Sequence, residues 1–381
     1  MRAAANLPAG GSAAAKSQAS GEGASDRAVA ALEERVRAAV SDRRPICIRG
    51  GGTKDFYGEA PAGAPLDVRD VCGIVSYAPA ELVLTARGGT PLAEVEEALA
   101  AHGQMLAFEP PRFGPGGTLG GVVASGLSGP RRPYAGAVRD FVLGTRVVDG
   151  TGTEIVFGGQ VMKNVAGFDV SRLMTGALGT LGVLTEISLK CLPRAKAETT
   201  RVVACDAVGA LRLMNEWGGK PLPISATCFH DGKLRVRLSG APAALAAAAP
   251  VIGGQEVDAA DFWRGVRDQT LDFFAPAAAG DAALWRLSVR STAPWKAWPG
   301  DAMIEWGGAL RWLLCRSPID AAALRAWAAE NGGHATLYRG HDKSAGAFQP
   351  LAAPLLTLHE RLKHVFDPHR ILNPGRMYAQ L

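Results

Sequence analysis

The sequence predicts an α+β protein of two domains, and three observations support this. At 381 residues the chain exceeds one ordinary domain and is comfortable for two. Its first half alternates short apolar strands with helical stretches and carries three glycine clusters. After Pro193 the character changes, and residues 197–345 become richer in Ala, Trp and Arg.

Composition narrows the class. Hydrophobic residues make up 48%, enough for large cores and inconsistent with disorder. The formal net charge of +5 is small and the basic residues are scattered, so no nucleic-acid surface is expected. The six cysteines lie far apart without a C-x-x-C pair, which argues against an iron–sulfur or zinc site built by this chain alone. No metal site is expected, and reduced thiols suit a cytoplasmic protein. No segment reaches the ~18 apolar residues of a membrane span, so any membrane association must come through a partner.

Residues 1–27, rich in Ala, Gly and Ser, read as a disordered extension. Asp26 is a plausible N-cap for a helix over 27–41, in which Val29, Leu32, Val36 and Val40 recur at helical spacing. A strand over 45–49 leads into the first glycine loop, and strands are expected at 73–77 and 82–87. Thr90 should cap a helix that opens on Pro91 and ends near Gly103. Strands over 141–148 and 153–157 form a hairpin around Asp149-Gly-Thr-Gly152. A helix near 169–175 and a strand over 183–189 close this unit. Beyond Pro193, strand-like patches lie at 233–238 and 284–289. A last helix, 352–366, sets Leu355, Leu358, Leu362, Val365 and Phe366 on one side and stops at Asp367-Pro368.

The glycine clusters are Arg49-Gly-Gly-Gly-Thr53, Gly116-Gly-Thr-Leu-Gly-Gly121 and Gly176-Ala-Leu-Gly-Thr-Leu-Gly182. Without a Cβ, glycine lets backbone N–H groups come close to a ligand. Successive amides aimed into one concavity make an anion nest suited to a pyrophosphate. A lone cluster is more simply a set of tight turns, but three beside strands or helix starts are harder to dismiss. A Rossmann site needs G-x-G-x-x-G opening a helix, whereas Gly50-Gly51-Gly52 runs into Lys54-Asp-Phe-Tyr57. No Walker A motif is present.

Several longer stretches carry a family resemblance. They include Ile48-Arg-Gly-Gly-Gly-Thr-Lys54, Glu109-Pro-Pro111, Gly120-Gly-Val-Val-Ala-Ser-Gly126 and Val161-Met-Lys-Asn-Val-Ala-Gly-Phe-Asp169. Gly179-Thr-Leu-Gly-Val-Leu-Thr185, Trp306-Gly-Gly-Ala-Leu-Arg-Trp312 and Leu372-Asn-Pro-Gly-Arg-Met377 extend the set. With them the chain resembles the vanillyl-alcohol-oxidase (PCMH) type of FAD-binding proteins over residues 28–381, and within it the FAD-binding subunits of bacterial glycolate oxidases. The resemblance implies a two-subdomain FAD-binding domain over 28–195, an α+β cap domain over 196–350 and a C-terminal segment, 351–381, returning to the first domain.

It also implies site residues. Arg49, Gly50, Gly51, Gly52 and Thr53, with Gly117, Thr118, Gly120 and Gly121, would wrap the pyrophosphate, and Lys54 and Pro110 would also belong to the cofactor site. Ser125, Gly126, Gly182 and Val183 would line the ribityl and adenine regions, and Asn373 and Arg376 would lie beside the flavin. For Asn373–Arg376 a plain Pro-Gly turn is as good a reading. Relatives that attach FAD covalently can carry a histidine after the first glycine loop; Thr53 stands there, so non-covalent FAD is expected.

Oxidation of a 2-hydroxy acid needs a base for the hydroxyl proton and a cationic grip on the carboxylate. Catalytic relatives carry an H-x-G-D-G-N stretch that this chain lacks. His334 is a candidate base, against a structural or surface histidine. Arg311 is a candidate carboxylate clamp, against stacking on Trp306 or pairing with Glu305, the favoured reading. Arg131, Arg132 and Arg139 near the second loop might serve phosphate or a partner. The resemblance suggests as partners a larger FAD-binding subunit and an iron–sulfur subunit passing electrons to quinone. Alternatives are a self-sufficient 2-hydroxy-acid dehydrogenase and, less favoured, a UDP-N-acetylenolpyruvoylglucosamine-type reductase.

Overall fold

The computed structural model describes residues 12–160 and 168–381 of a mixed α+β chain. The first helix, Ser12–Asp42, buries Val29, Leu32 and Val36 as their spacing predicts. It starts well before the expected residue 27. The apolar period marks only the stretch that packs, whereas the alanines preceding it favour helix without needing a core. Of the expected disordered extension, residues 1–11 lie outside the described residues and 12–27 belong to this helix. Asp26 is therefore no N-cap; its carboxylate instead pairs with Arg87 at 2.7 Å.

Strand Ile46–Arg49 runs parallel to Ala64–Asp67, and both pack on the first helix. A five-stranded antiparallel sheet follows, ordered Ile74–Ala78, Val83–Arg87, Val183–Lys190, Val142–Val148 and Glu154–Gly158. Helices Leu92–Ala100 and Leu119–Ser125 share its core. Thr90 does not cap the first of these; its hydroxyl accepts from Gly73 N–H at 2.9 Å and donates to the Arg87 carbonyl at 2.6 Å.

From Ala197 the chain builds an eight-stranded antiparallel sheet. Its order is Gln255–Val257, Ala197–Ala204, Lys233–Gly240, Ile224–His230, Asp301–Glu305, Leu310–Cys315, Ala283–Ser288 and His334–Arg339. Glu109 pins the two halves together: its carboxylate takes Arg131 Nε at 3.3 Å from the first half and Arg237 Nη2 at 2.8 Å from the sheet.

The last helix, Ala353–Phe366, has the expected bounds but not the expected buried face. Leu355 and Leu358 are each 51% exposed and Val365 70%, while Phe366 and Lys363 are buried. Lys363 Nζ pairs with Asp367 at 2.7 Å and donates to the carbonyls of Thr180 and Leu372. A buried ion pair with its remaining hydrogen bonds satisfied thus replaces the apolar contact. It holds the tail so that Ile371 and Leu372 join the core of the first helix. Among the described residues no helix is long and apolar enough to cross a membrane.

Candidate functional site

The first two glycine loops face each other in backbone contact. A Cβ on Gly51 would overlap the Gly116 carbonyl oxygen, and one on Gly50 would lie 2.5 Å from Thr118 Oγ1. Gly52 has φ +69°, a conformation glycine adopts without strain. Among the described residues, the backbone N–H groups of Gly50, Gly51, Gly52, Thr53 and Lys54 find no acceptor, nor do those of Gly116, Gly117 and Thr118. Two apposed loops with so many free donors make the concavity an anion requires. Lys54 adds a cation beside Thr53 Oγ1 at 3.4 Å. Burial pushes its ammonium down to about 8 against the opposing pull of Asp268. Arg49 instead pairs with Asp55 at 2.6 Å.

The neighbouring positions are glycine for packing. Gly120 N–H donates to the Gly88 carbonyl at 2.7 Å, leaving no room for a side chain. Thr118 Oγ1 caps helix Leu119–Ser125 by accepting from Gly121 N–H. A Cβ on Gly182 would strike Val147, and Val183 after it is buried in the sheet. Pro110 is buried between the ion-paired Glu109 and the second loop. Ser125 Oγ donates to the Val122 carbonyl, and Gly126 (φ +63°) packs against Gly176 of the third cluster.

The tail locks the first and third clusters together. Asn373 Oδ1 accepts from Ile48 N–H and its Nδ2 donates to the Leu178 carbonyl, both at 2.6 Å. Its amide is therefore fully engaged between the clusters. Arg376 Nη2 donates to the carbonyls of Lys54 and Asp55. Its Nη1 is buried and has no partner among the described residues. Of the Val161–Asp169 stretch, residues 161–167 lie outside the described residues.

A cavity of about 700 Å³ opens where the third cluster and the tail meet the large sheet. Ser125, Gly126, Thr175 and Gly176 wall one side, with Arg132 and Arg139 beside them. Arg286, Ser288, Trp306, His334 and Thr336 wall the other. Strand register explains the second wall, since Arg286 pairs with Thr336 and Ser288 with His334, placing all four on one face. Arg132 and Arg286 both stack on the Trp306 ring, at 4.5 and 5.0 Å. Burial, then Arg286 and Arg139, lower the pKa of Arg132. Burial first and Arg286 second also hold His334 below the ordinary histidine value, which keeps its imidazole neutral near pH 7. Thr175 Oγ1, in the opposite wall, is buried and has no partner among the described residues.

Of the two catalytic candidates, then, His334 reaches the cavity and Arg311 does not. Arg311 is buried on the far face of its strand, where it donates to the carbonyls of Gly308, Ala293 and Pro294 and stacks on Trp327. Burial pushes it down to about 10. It neither stacks on Trp306 nor pairs with Glu305, whose carboxylate takes Trp312 Nε1 instead. The cation in the wall is Arg286, which the sequence reading missed. Its signal, an arginine alternating with Ser288 on a strand, is visible only once that strand's partners are known.

Residues 27–158 match the family described as FAD binding domain, so the class is that of an FAD-binding protein. The N–H groups, Arg376 Nη1 and Thr175 hydroxyl that find no partner among the described residues fit such a ligand, and glycine at 50 and 51 is what lets the two loops meet. The chain is 49% identical over 351 residues to the glycolate oxidase subunit GlcE of Escherichia coli (strain K12), covering 92% of this chain and 97% of that one. It belongs to the GlcE family of glycolate oxidase subunits. It is also 30% identical over 179 residues to the glycolate oxidase subunit GlcD of Bacillus subtilis (strain 168), covering 46% of this chain and 38% of that one. A solved alkyldihydroxyacetonephosphate synthase superposes with a TM-score of 0.62 at 16% identity, covering 90% of this chain and 74% of that one, which shows a shared fold.

Proposed function

We propose that the chain is the FAD-holding subunit of a glycolate oxidase complex that oxidises glycolate, a small 2-hydroxy acid, to glyoxylate. The observation that carries this is the 49% identity along nearly the whole length of GlcE. Electrons would pass through an iron–sulfur subunit to quinone, beside a larger FAD-binding subunit. The chain is then cytoplasmic and meets the membrane only through these partners. Residues 28–195 serve as the two-subdomain PCMH-type FAD-binding domain, 196–350 as the cap and 351–381 as the returning tail.

FAD is held non-covalently, since Thr53 offers no attachment point. The N–H groups of 50–54 and 116–118 take the diphosphate, with Lys54 and Arg376 adding charge. Asn373 acts as a positioning residue through the two clusters it joins. Bound FAD supplies the hydride acceptor. Arg286 and Arg132, both held against Trp306, grip the substrate carboxylate. The neutral imidazole of His334 takes the hydroxyl proton. That His334 and Arg286 share one cavity also favours a second reading, a self-sufficient 2-hydroxy-acid dehydrogenase.

Dye reduction by glycolate, measured on the FAD-loaded chain alone and with its partner subunits, separates the two. The subunit reading expects strong activity only in the assembly. Full activity from the isolated chain overturns it in favour of the second.

A further inference from the structure

We propose that Glu305 takes up one proton when a small carboxylate docks against Arg286, by way of a single internal water held by Gln269. This rests on the reading of the large cavity as a carboxylate site. Behind that cavity lies a void of about 20 Å³, walled by Arg286, Trp306, Glu305, Gln269 and Tyr338. Arg286 and Trp306 are common to both spaces, so one arginine borders the docking site and the void beside the buried carboxylate, whose charge it influences. The void has room for about one water.

Its polar lining is unfinished. Gln269 is only 8% exposed and holds φ +55°, yet its Oε1 finds no donor among the described residues. The positive φ is that of the left-handed cap ending helix Ala260–Asp268, and it leaves the buried side chain on the wall of the void. An orphan acceptor bordering a void of this size suits a bound water. Glu305 is 3% exposed, and its recorded donor is Trp312 Nε1 at 2.6 Å. The charged and titratable groups around it are Arg286 from strand Ala283–Ser288, Arg267 from helix Ala260–Asp268 (itself paired with Asp268), Glu109 from the first half, and Cys228 and Tyr338 on the same sheet face. Burial above all pushes Glu305 up to about 7, with Glu109 adding to it, while the Trp312 hydrogen bond and Arg286 pull the other way.

Arg286 is thus the cation that favours the ionised form. An anion docked on it offsets that field, and the carboxylate then binds a proton. Only an O–H bond forms, and the proton comes from solvent through the water between Arg286 and Gln269.

The test is calorimetric titration of the FAD-loaded chain with oxalate, which has no α-hydrogen to lose, just above pH 7 in buffers of different ionisation enthalpy. Wild type is expected to take up more than half a proton. E305Q should keep only the smaller share of the histidine that also feels Arg286, and H334N should retain the larger share, which separates the two. Uptake undiminished in E305Q, or missing in wild type while oxalate still binds, overturns the inference but leaves the carboxylate reading intact. Failure of oxalate to bind wild type overturns that reading itself. Should E305Q not fold, an infrared difference spectrum of wild type on adding oxalate must show a new protonated-carboxyl band; its absence also overturns the proposal.

Discussion

The two sides of the cleft are made of different material. The first half offers backbone: two loops in which a side chain at Gly51 has no place, and a run of N–H groups that find no acceptor among the described residues. The large sheet offers side chains: Arg286, His334 and Thr336 standing in register on one face. A backbone site is rigid and blind to sequence except where it forbids a Cβ, so it suits an invariant diphosphate. A side-chain site carries charge and tunable protons, so it suits substrate chemistry. Substitutions on the two sides should therefore have separable effects.

The largest effect is expected from Gly51→Ala. Its Cβ overlaps the Gly116 carbonyl oxygen, so the loops must part. FAD affinity should fall about 100-fold or more, a loss of about 3 kcal/mol, in a fluorescence titration. Unchanged affinity would place the diphosphate elsewhere.

The contribution of Glu305 is next and depends on pH. Its folded value, about 7, lies above its ordinary 4.5. Its stabilising effect is therefore present in full below the ordinary value and drains away as pH rises through the folded one. The stability difference between wild type and E305Q in urea should shift against wild type by up to about 1.4 kcal/mol per pH unit across that interval. It should level off above it, and a flat difference would mean that the carboxylate is ionised throughout.

Asn373→Ala breaks the clamp between the first and third clusters, leaving Ile48 N–H and the Leu178 carbonyl unpaired. A loss of about 2 to 3 kcal/mol is expected in urea unfolding. FAD should weaken too, because the loops lose their common anchor.

Arg286→Met sharpens the contrast from the other side. Oxalate affinity should drop about 10- to 100-fold, the loss of a charge-assisted pair, while FAD affinity holds. Arg311→Met is the smallest effect on binding. It frees three backbone carbonyls and lowers stability, but oxalate should bind within about 2-fold of wild type, since its guanidinium lies outside the cavity.

The same contrast explains what was readable in the sequence. Where backbone does the work, the residue type is the signal. The glycine clusters and the hairpin Val142–Val148 to Glu154–Gly158 fell where expected, the latter because Asp149 Oδ1 accepts from Thr151 and Thr153 N–H in the turn. Where side chains do the work, meaning comes from partners far along the chain. Arg286 joins His334 and Thr336 only through antiparallel pairing across some fifty residues. The last helix misled for a related reason: spacing shows an apolar face but not that Lys363, paired with Asp367, is the residue turned inward.

The central claim is that FAD lies along these loops with its reactive ring between the two chemistries. A crystal structure of the FAD-loaded chain tests it most directly. The diphosphate should rest against residues 50–54 and 116–118, with the isoalloxazine in the cavity facing Arg286 and His334. Diphosphate density anywhere else, or a ring turned away from Arg286, would contradict it.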